Sequence, residues 1–97
     1  MNRADVYNIV SGRTDVSRKT VAYIMDAAFE LILESVVQGK SVNISGFGVF
    51  RLRDKSAYLG ANPYTGERIP IPAKRLPFFS ACKRFKTLCE ERWTSRL

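Results

Sequence analysis

The stretch GANPYTGERIPIP, residues 60–72, decides how the second half of this 97-residue chain folds. It holds three of the chain's four prolines but only two large aliphatic side chains, Ile69 and Ile71. Because proline has no backbone N–H, the segment suits neither a helix interior nor a central strand. Pro70 and Pro72 are two residues apart, so they block the same edge of a strand against further pairing. The segment therefore predicts the tip and the returning strand of a long β-hairpin that protrudes from the folded body.

The residues on either side of this hairpin predict the sheet from which it extends. Polar and apolar residues alternate from Val42 to Ile44, and the glycines of GFGVF (46–50) then predict a tight turn or a close backbone approach. Residues 51–59 and 67–79 follow as two further strands. We expect a three-stranded antiparallel sheet with a protruding β-ribbon arm over about residues 41–79.

The first forty residues predict a helical hairpin over about residues 3–38. Asn2 is a candidate N-cap for a first helix that ends at Gly12, and Ser17 is a candidate N-cap for a second helix. Apolar residues then recur at three- and four-residue steps as far as Val36, which is the helical period.

The last predicted element is a C-terminal helix over about residues 81–93, with Ser80 as its N-cap. Its helically spaced apolar positions are Cys82, Phe85, Leu88, Cys89 and Trp93. With no repeat and no linker, the chain is predicted to be one α+β domain over residues 1–97.

The cysteines favour a reducing compartment. Cys82 and Cys89 are seven residues apart in the predicted helix, which separates their Cα atoms by about 10 Å. That distance exceeds the reach of a disulfide. The sequence shows neither a signal-like apolar run nor a segment of transmembrane length, so we expect a cytoplasmic protein without a membrane partner.

The charge indicates a polyanionic partner. The net charge is +7, with 16 basic and 9 acidic residues. Five of each lie in residues 1–40, so the rest of the chain carries the whole excess. This balance favours nucleic acid, with the binding surface formed mostly by the second half.

The aromatic residues predict a dimer. Without the arm, about 75 residues remain to enclose six phenylalanines, and the second helix is apolar around more than one face. A core shared between two chains accommodates both features. The predicted dimer core contains Phe29, Phe47, Phe50 and Phe79.

Two motifs resemble one known family. SGFGVFRLRDK (45–55) and GANPYTGERIPI (60–71), after two helices, are similar to the bacterial HU/IHF family of DNA-bending proteins over about residues 1–91. LRDK, IPI and the pair Lys74-Arg75 are more similar to an IHF alpha subunit, whereas the start MNR is more similar to HU. The tail WTSRL (93–97) extends beyond the length typical of HU.

The resemblance implies an intertwined dimer whose two arms wrap DNA through the minor groove. Pro63, preceded by Asn62, would be the residue that wedges between base pairs and kinks the duplex. Arms of this family usually carry arginine where this chain has Tyr58 and Ala61. Fewer arm cations imply that affinity depends more on the body, although Tyr58 and Tyr64 could contact sugars instead.

The predicted DNA-contacting residues form an arm set and a body set. The arm set, besides Pro63, is Lys55, Asn62, Arg68, Lys74 and Arg75. The body set is Arg3, Arg18, Arg51, Arg53, Lys83 and Lys86. Each cation could instead be a solvated surface charge, and Arg3 could pair with Asp26.

Catalysis and metal binding find no support in the sequence. There is no histidine, the cysteines have no neighbouring base, and no phosphate-binding loop is present. We therefore expect no enzyme, no cofactor, no metal and no small-molecule substrate. The predicted function is HU-like: a nucleoid-associated homodimer that bends or compacts double-stranded DNA with low sequence specificity. The alternatives are a sequence-selective IHF-like subunit of a heterodimer and a protein-interaction module with weakened DNA binding.

Overall fold

A computed structural model of the chain describes residues 1–94. The remaining part of the C-terminal tail, residues 95–97, lies outside the described residues. The chain divides into two compact units, Met1–Glu34 and the part from Ser35 onward.

Two helices account for the first unit: α1 (Arg3–Thr14) and α2 (Arg18–Val37), whose last turn belongs to the second unit. Asn2 caps α1 reciprocally, since the Asp5 backbone N–H donates to Asn2 Oδ1 and the Asn2 N–H donates to Asp5 Oδ2, both at 3.0 Å. The predicted N-terminal helical hairpin is confirmed. Among residues 1–94, neither α2 nor any other helix is long and apolar enough to cross a membrane.

The end of α1 differs from the prediction. Gly12 lies inside the helix, which continues to Thr14 and ends where Asp15 adopts a left-handed φ of 60°. Aspartate tolerates this conformation better than most residues, so a glycine was not needed. Ser17 does cap α2, because its Oγ accepts from the Thr20 backbone N–H at 3.3 Å.

The second unit contains the predicted three-stranded antiparallel sheet, in the order β1-β2-β5. Its strands are β1 (Val42–Ile44), β2 (Gly48–Lys55) and β5 (Lys74–Ala81). A Cβ atom on Gly48 would lie 2.5 Å from the Phe79 ring and 2.6 Å from the Ser80 carbonyl oxygen. Close approach between β2 and β5 therefore requires glycine at position 48.

The arm is a separate two-stranded sheet of β3 (Tyr58–Ala61) and β4 (Arg68–Ile71). The sequence predicted two continuous strands, but both are interrupted, at residues 56–57 and 72–73. Pro72 lies in this gap, and the pairs on either side of it, Tyr58–Ile71 and Lys55–Lys74, keep the same register.

The C-terminal helix α3 (Lys83–Thr94) begins later than predicted. Ser80 is not its cap, because β5 continues to Ala81 and Ser80 pairs with Val49. Cys82 takes that role, and its Sγ accepts from the Phe85 backbone N–H at 3.5 Å. Cys82 and Cys89 are both free thiols.

Candidate nucleic-acid interface

The tip of the arm is a hydrogen-bonded turn organised by Asn62. Its backbone N–H donates to the Glu67 carbonyl at 2.7 Å, and its own carbonyl accepts from the Gly66 N–H at 2.8 Å. The Asn62 side chain accepts from the Tyr64 N–H at 2.9 Å. Gly66 has a φ of +72°, which glycine adopts without strain. The turn therefore presents Pro63 as an exposed apolar ring at the end of the arm.

Exposed apolar side chains dominate the rest of the arm. Tyr58, Leu59, Tyr64 and Ile69 all expose more than a third of their surface. The Lys55 Nζ atom lies 5.7 Å from the centroid of the Tyr58 ring, which is a cation–π contact. Tyr58 occupies a position where the resemblance predicts arginine, and it places a neighbouring cation on the arm.

The base of the arm carries a pair of like charges. Lys55 and Lys74 lie directly opposite each other on β2 and β5. Such a pair destabilises a sheet but suits an anion that contacts both ammonium groups. The next pair, Asp54 and Arg75, is an exposed ion pair at 2.8 Å, so Arg75 already has a carboxylate partner.

Two further cations share one face of β2, as the sequence predicted. The guanidinium carbons of Arg51 and Arg53 lie 5.5 Å and 5.1 Å from the centroid of the Phe78 ring. Both arginines are exposed and oriented by the same ring. This face of the sheet can present two planar donor groups to phosphate oxygens.

The N-terminal turns of α3 provide the remaining cations of this surface. Lys83, Arg84 and Lys86 are exposed there, and the first turn has no acidic residue. Cations at this end oppose the helix dipole. A helix N-terminus favours an anion, so a bound phosphate would offset the unfavourable interaction between these cations and the helix dipole.

In the first unit, Arg3 pairs with Asp26. Its guanidinium lies 3.6 Å from Asp26 Oδ1 and 5.6 Å from the centroid of the Phe29 ring. The Tyr7 hydroxyl also donates to Asp26. Burial, and then this hydrogen bond, raise the pKa of the Tyr7 hydroxyl above its ordinary value. Arg18 donates from Nε to Asn8 Oδ1 at 2.8 Å.

Three of the four predicted dimer-core phenylalanines form one cluster in the second unit. The Phe79 ring centroid lies 5.4 Å from that of Phe47 and 4.8 Å from that of Phe50. Phe85, which was not assigned to the core, joins the cluster at 5.6 Å from Phe47. Its helical spacing from Cys82 and Leu88 was the signal for it. Phe29 lies in the first unit, where it contacts Arg3.

The chain matches the family described as bacterial DNA-binding protein over residues 1–90. It is 41% identical over 86 residues to DNA-binding protein HU of Staphylococcus aureus, a match that covers 89% of this chain and 96% of that protein. DNA-binding protein HU-1 of Halalkalibacterium halodurans matches with the same identity and coverage.

Solved structures of HU share this fold. An HU–DNA cocrystal structure from Anabaena aligns with a TM-score of 0.79 and 40% identity, over 89% of this chain and 94% of that one. A variant HU from Thermotoga maritima aligns with a TM-score of 0.69 over 92% of this chain and 99% of its own, and its 24% identity supports the fold alone.

Proposed function

The chain belongs to the bacterial DNA-binding protein family as an HU-like architectural protein, and we propose that it bends double-stranded DNA by inserting Pro63 from each arm of a dimer. This family is not enzymatic, which agrees with the prediction of no catalysis. From that function we also infer that the protein is cytoplasmic and nucleoid-associated.

The exposed proline on a hydrogen-bonded tip gives this proposal its strongest support. Pro63 follows Asn62, whose backbone and side chain both close the turn, so the wedge is held in place before DNA arrives. Unstacking one base step costs a few kcal/mol, and the bend offsets this cost by bringing more of the duplex against the protein.

The second unit supplies the cations that such a bend would engage. Its exposed basic residues without an acidic partner among residues 35–94 include Arg51, Arg53, Lys55, Arg68, Lys74, Lys83, Arg84 and Lys86. The like-charge pair at the base of the arm and the cations at the start of α3 belong to this set. Phosphate contacts of this kind give strong binding without sequence information. They support HU-like binding with low sequence specificity.

Burial supports a dimer. Among residues 1–94, the buried apolar side chains are Tyr7, Val21 and Val36. Phe47 remains 43% exposed although it belongs to the aromatic cluster, and Phe29 remains 40% exposed. A chain this small needs a larger core, and a second copy would provide it. Light scattering of the chain expressed alone tests the homodimer: a monomer would favour an IHF-like heterodimer.

Bending itself is tested with a duplex that carries a donor and an acceptor dye at its ends. The wild-type protein is expected to raise energy transfer, and Pro63→Ala is expected to bind without raising it to the same level. Pro77→Ala is the matched control, because Pro77 is also exposed but lies in β5. Equal energy transfer with wild type and Pro63→Ala would refute the wedge.

Competition experiments with the wild-type protein distinguish the alternative functions. Random-sequence competitor DNA should displace a labelled duplex as well as unlabelled duplex of the same sequence does. A strong preference for one sequence would indicate IHF-like selectivity. A failure to bind duplex DNA even at low salt would indicate the protein-interaction module, because electrostatic binding to DNA is strongest at low salt.

A further inference from the structure

The tip of the arm, residues 62–67 beyond the Ala61–Arg68 pair, has no positive charge to hold it against DNA. Residues 56–67 contain no lysine or arginine, and their one charged residue is Glu67. The nearest cations are Lys55 at the end of β2 and Arg68 at the start of β4. Beside a phosphate backbone this segment gains no Coulombic attraction of its own. The contacts that its own side chains can make with DNA are apolar, stacking and hydrogen-bonding ones.

Tyr64 is placed to make such a contact. Its side chain is 95% exposed, the highest exposure among the large hydrophobic residues of the described chain. Its backbone is nevertheless fixed, because its N–H is bound by the Asn62 side chain within the closed turn. An aromatic ring that packs against nothing, on a fixed backbone beside Pro63, contributes nothing evident to folding. It is available to a ligand that approaches the tip.

We propose that Tyr64 is a second DNA-contacting residue of the tip, whose ring stacks on a base of the step that Pro63 opens. The inference rests on the proposed function, since it needs the tip to reach the duplex. Stacking is tolerant of sequence because every base has a π face. It therefore suits a tip that binds DNA without reading it.

Stacking by Tyr64 predicts that the tip and the body contribute differently to the salt dependence of DNA binding. Stacking releases no counterions, so the contribution of the tip is insensitive to salt, whereas the phosphate contacts of the body weaken as salt rises. The tip then contributes a growing share of the binding free energy as the salt concentration increases.

The test measures DNA affinity of Tyr64→Ala, Tyr64→Leu and Tyr64→Phe on a fluorescein-labelled duplex at several KCl concentrations. We expect Tyr64→Ala and Tyr64→Leu to weaken binding by at least about fivefold per arm. Tyr64→Phe, which keeps the ring, should stay within about twofold of wild type. In all three variants the slope of log K against log salt should be unchanged. Lys83→Ala provides the contrast, because the slope should fall by about 0.9 for each phosphate that this variant no longer neutralises.

Three results would overturn the inference: wild-type affinity in Tyr64→Ala, wild-type affinity in Tyr64→Leu, or a loss in Tyr64→Ala that comes with a lower salt slope. Misfolding does not explain a loss, because a side chain this exposed supports no core. If Pro63→Ala abolishes bending while Tyr64→Ala binds as wild type, this inference fails alone. If the wild-type protein neither binds nor bends DNA, the proposed function fails with it.

Discussion

Replacing Ala61 by arginine is expected to strengthen DNA binding and to make it more dependent on salt. Ala61 is exposed on β3, pairs across the arm with Arg68 and precedes Pro63 by two residues. A cation here would enter the groove together with the tip. The new guanidinium would lie opposite Arg68, and such a like-charge pair costs up to about 1 kcal/mol of arm stability.

The magnitude follows from counterion release. One added phosphate contact steepens the slope of log K against log salt by about 0.9, and two arms steepen it by about 1.8. Between about 50 and about 200 mM salt the concentration changes fourfold. The affinity advantage of Ala61→Arg over wild type should therefore shrink by about twelvefold across that range.

Fluorescence anisotropy at these two salt concentrations measures both the gain and its decline. Ala61→Gln is the matched control, because it adds a long polar side chain without a charge. Two outcomes would contradict this expectation: glutamine gives the same gain as arginine, or Ala61→Arg leaves the salt slope at its wild-type value. Either outcome would mean that position 61 lies away from the phosphates in the complex.

Further substitutions test the interactions of the body. Gly48→Ala should destabilise the fold by about 1–3 kcal/mol in urea unfolding, because its methyl group would lie 2.5 Å from an aromatic ring of β5. Gly12→Ala, inside α1 with nothing within 4 Å, should instead stabilise by up to about 1 kcal/mol. Asp26→Asn should free Arg3 and raise DNA affinity by up to about fivefold at low salt, since an exposed pair contributes about 0.2–1 kcal/mol. The raised pKa of Tyr7 stabilises the fold below pH 10.0, and this contribution is lost as pH rises through the folded-state pKa. Melting temperatures between about pH 9 and 11 should therefore fall less in Tyr7→Phe than in wild type.

One result would contradict each of the predictions for Gly48, Asp26 and Tyr7. An unchanged urea midpoint in Gly48→Ala would mean that the two strands separate to admit a methyl group. If Asp26→Asn binds DNA as wild type does, Arg3 either contacts no phosphate or is equally free in both proteins. Parallel pH profiles of Tyr7→Phe and wild type would place the alkaline loss of stability in other groups.

Helix caps and turns could be predicted from the sequence where they depend on a few neighbouring residues. Asn2 with Asp5, Ser17 with Thr20, and the Asn62 turn are contacts between residues within five positions, and the sequence predicted a cap or turn at each. Ser80 was assigned wrongly because its state is fixed by pairing with Val49, thirty-one positions earlier. A serine before a helix looks the same in either case, so only the strand register separates a cap from a strand residue.

The same distinction between local and long-range contacts applies to the candidate site. Alternation along β2 predicted that Arg51 and Arg53 share a face, but the Phe78 ring that orients both depends on the β2–β5 register. The pairing of Arg3 with Asp26 was one of two alternatives, because a sequence gives the charges and not the distance between them. The like-charge pair at the base of the arm was missed for the same reason.

With Tyr58 and Ala61 in place of the arginines that the resemblance predicts, the proposed bending mechanism still has both of its parts. In the proposed mechanism a wedge enters the base stack and a body holds the flanking phosphates, and different parts of this chain would perform these tasks. The wedge is apolar in any case, and Pro63 stands on a turn closed by backbone hydrogen bonds that salt does not screen. Most of the cations of the proposed DNA surface lie on β2, β5 and α3, and Arg68 lies on β4. Because Glu67 is the only charged residue of the tip (residues 62–67), we expect electrostatic attraction to act mainly through the rest of the protein, and the tip to act by shape and stacking.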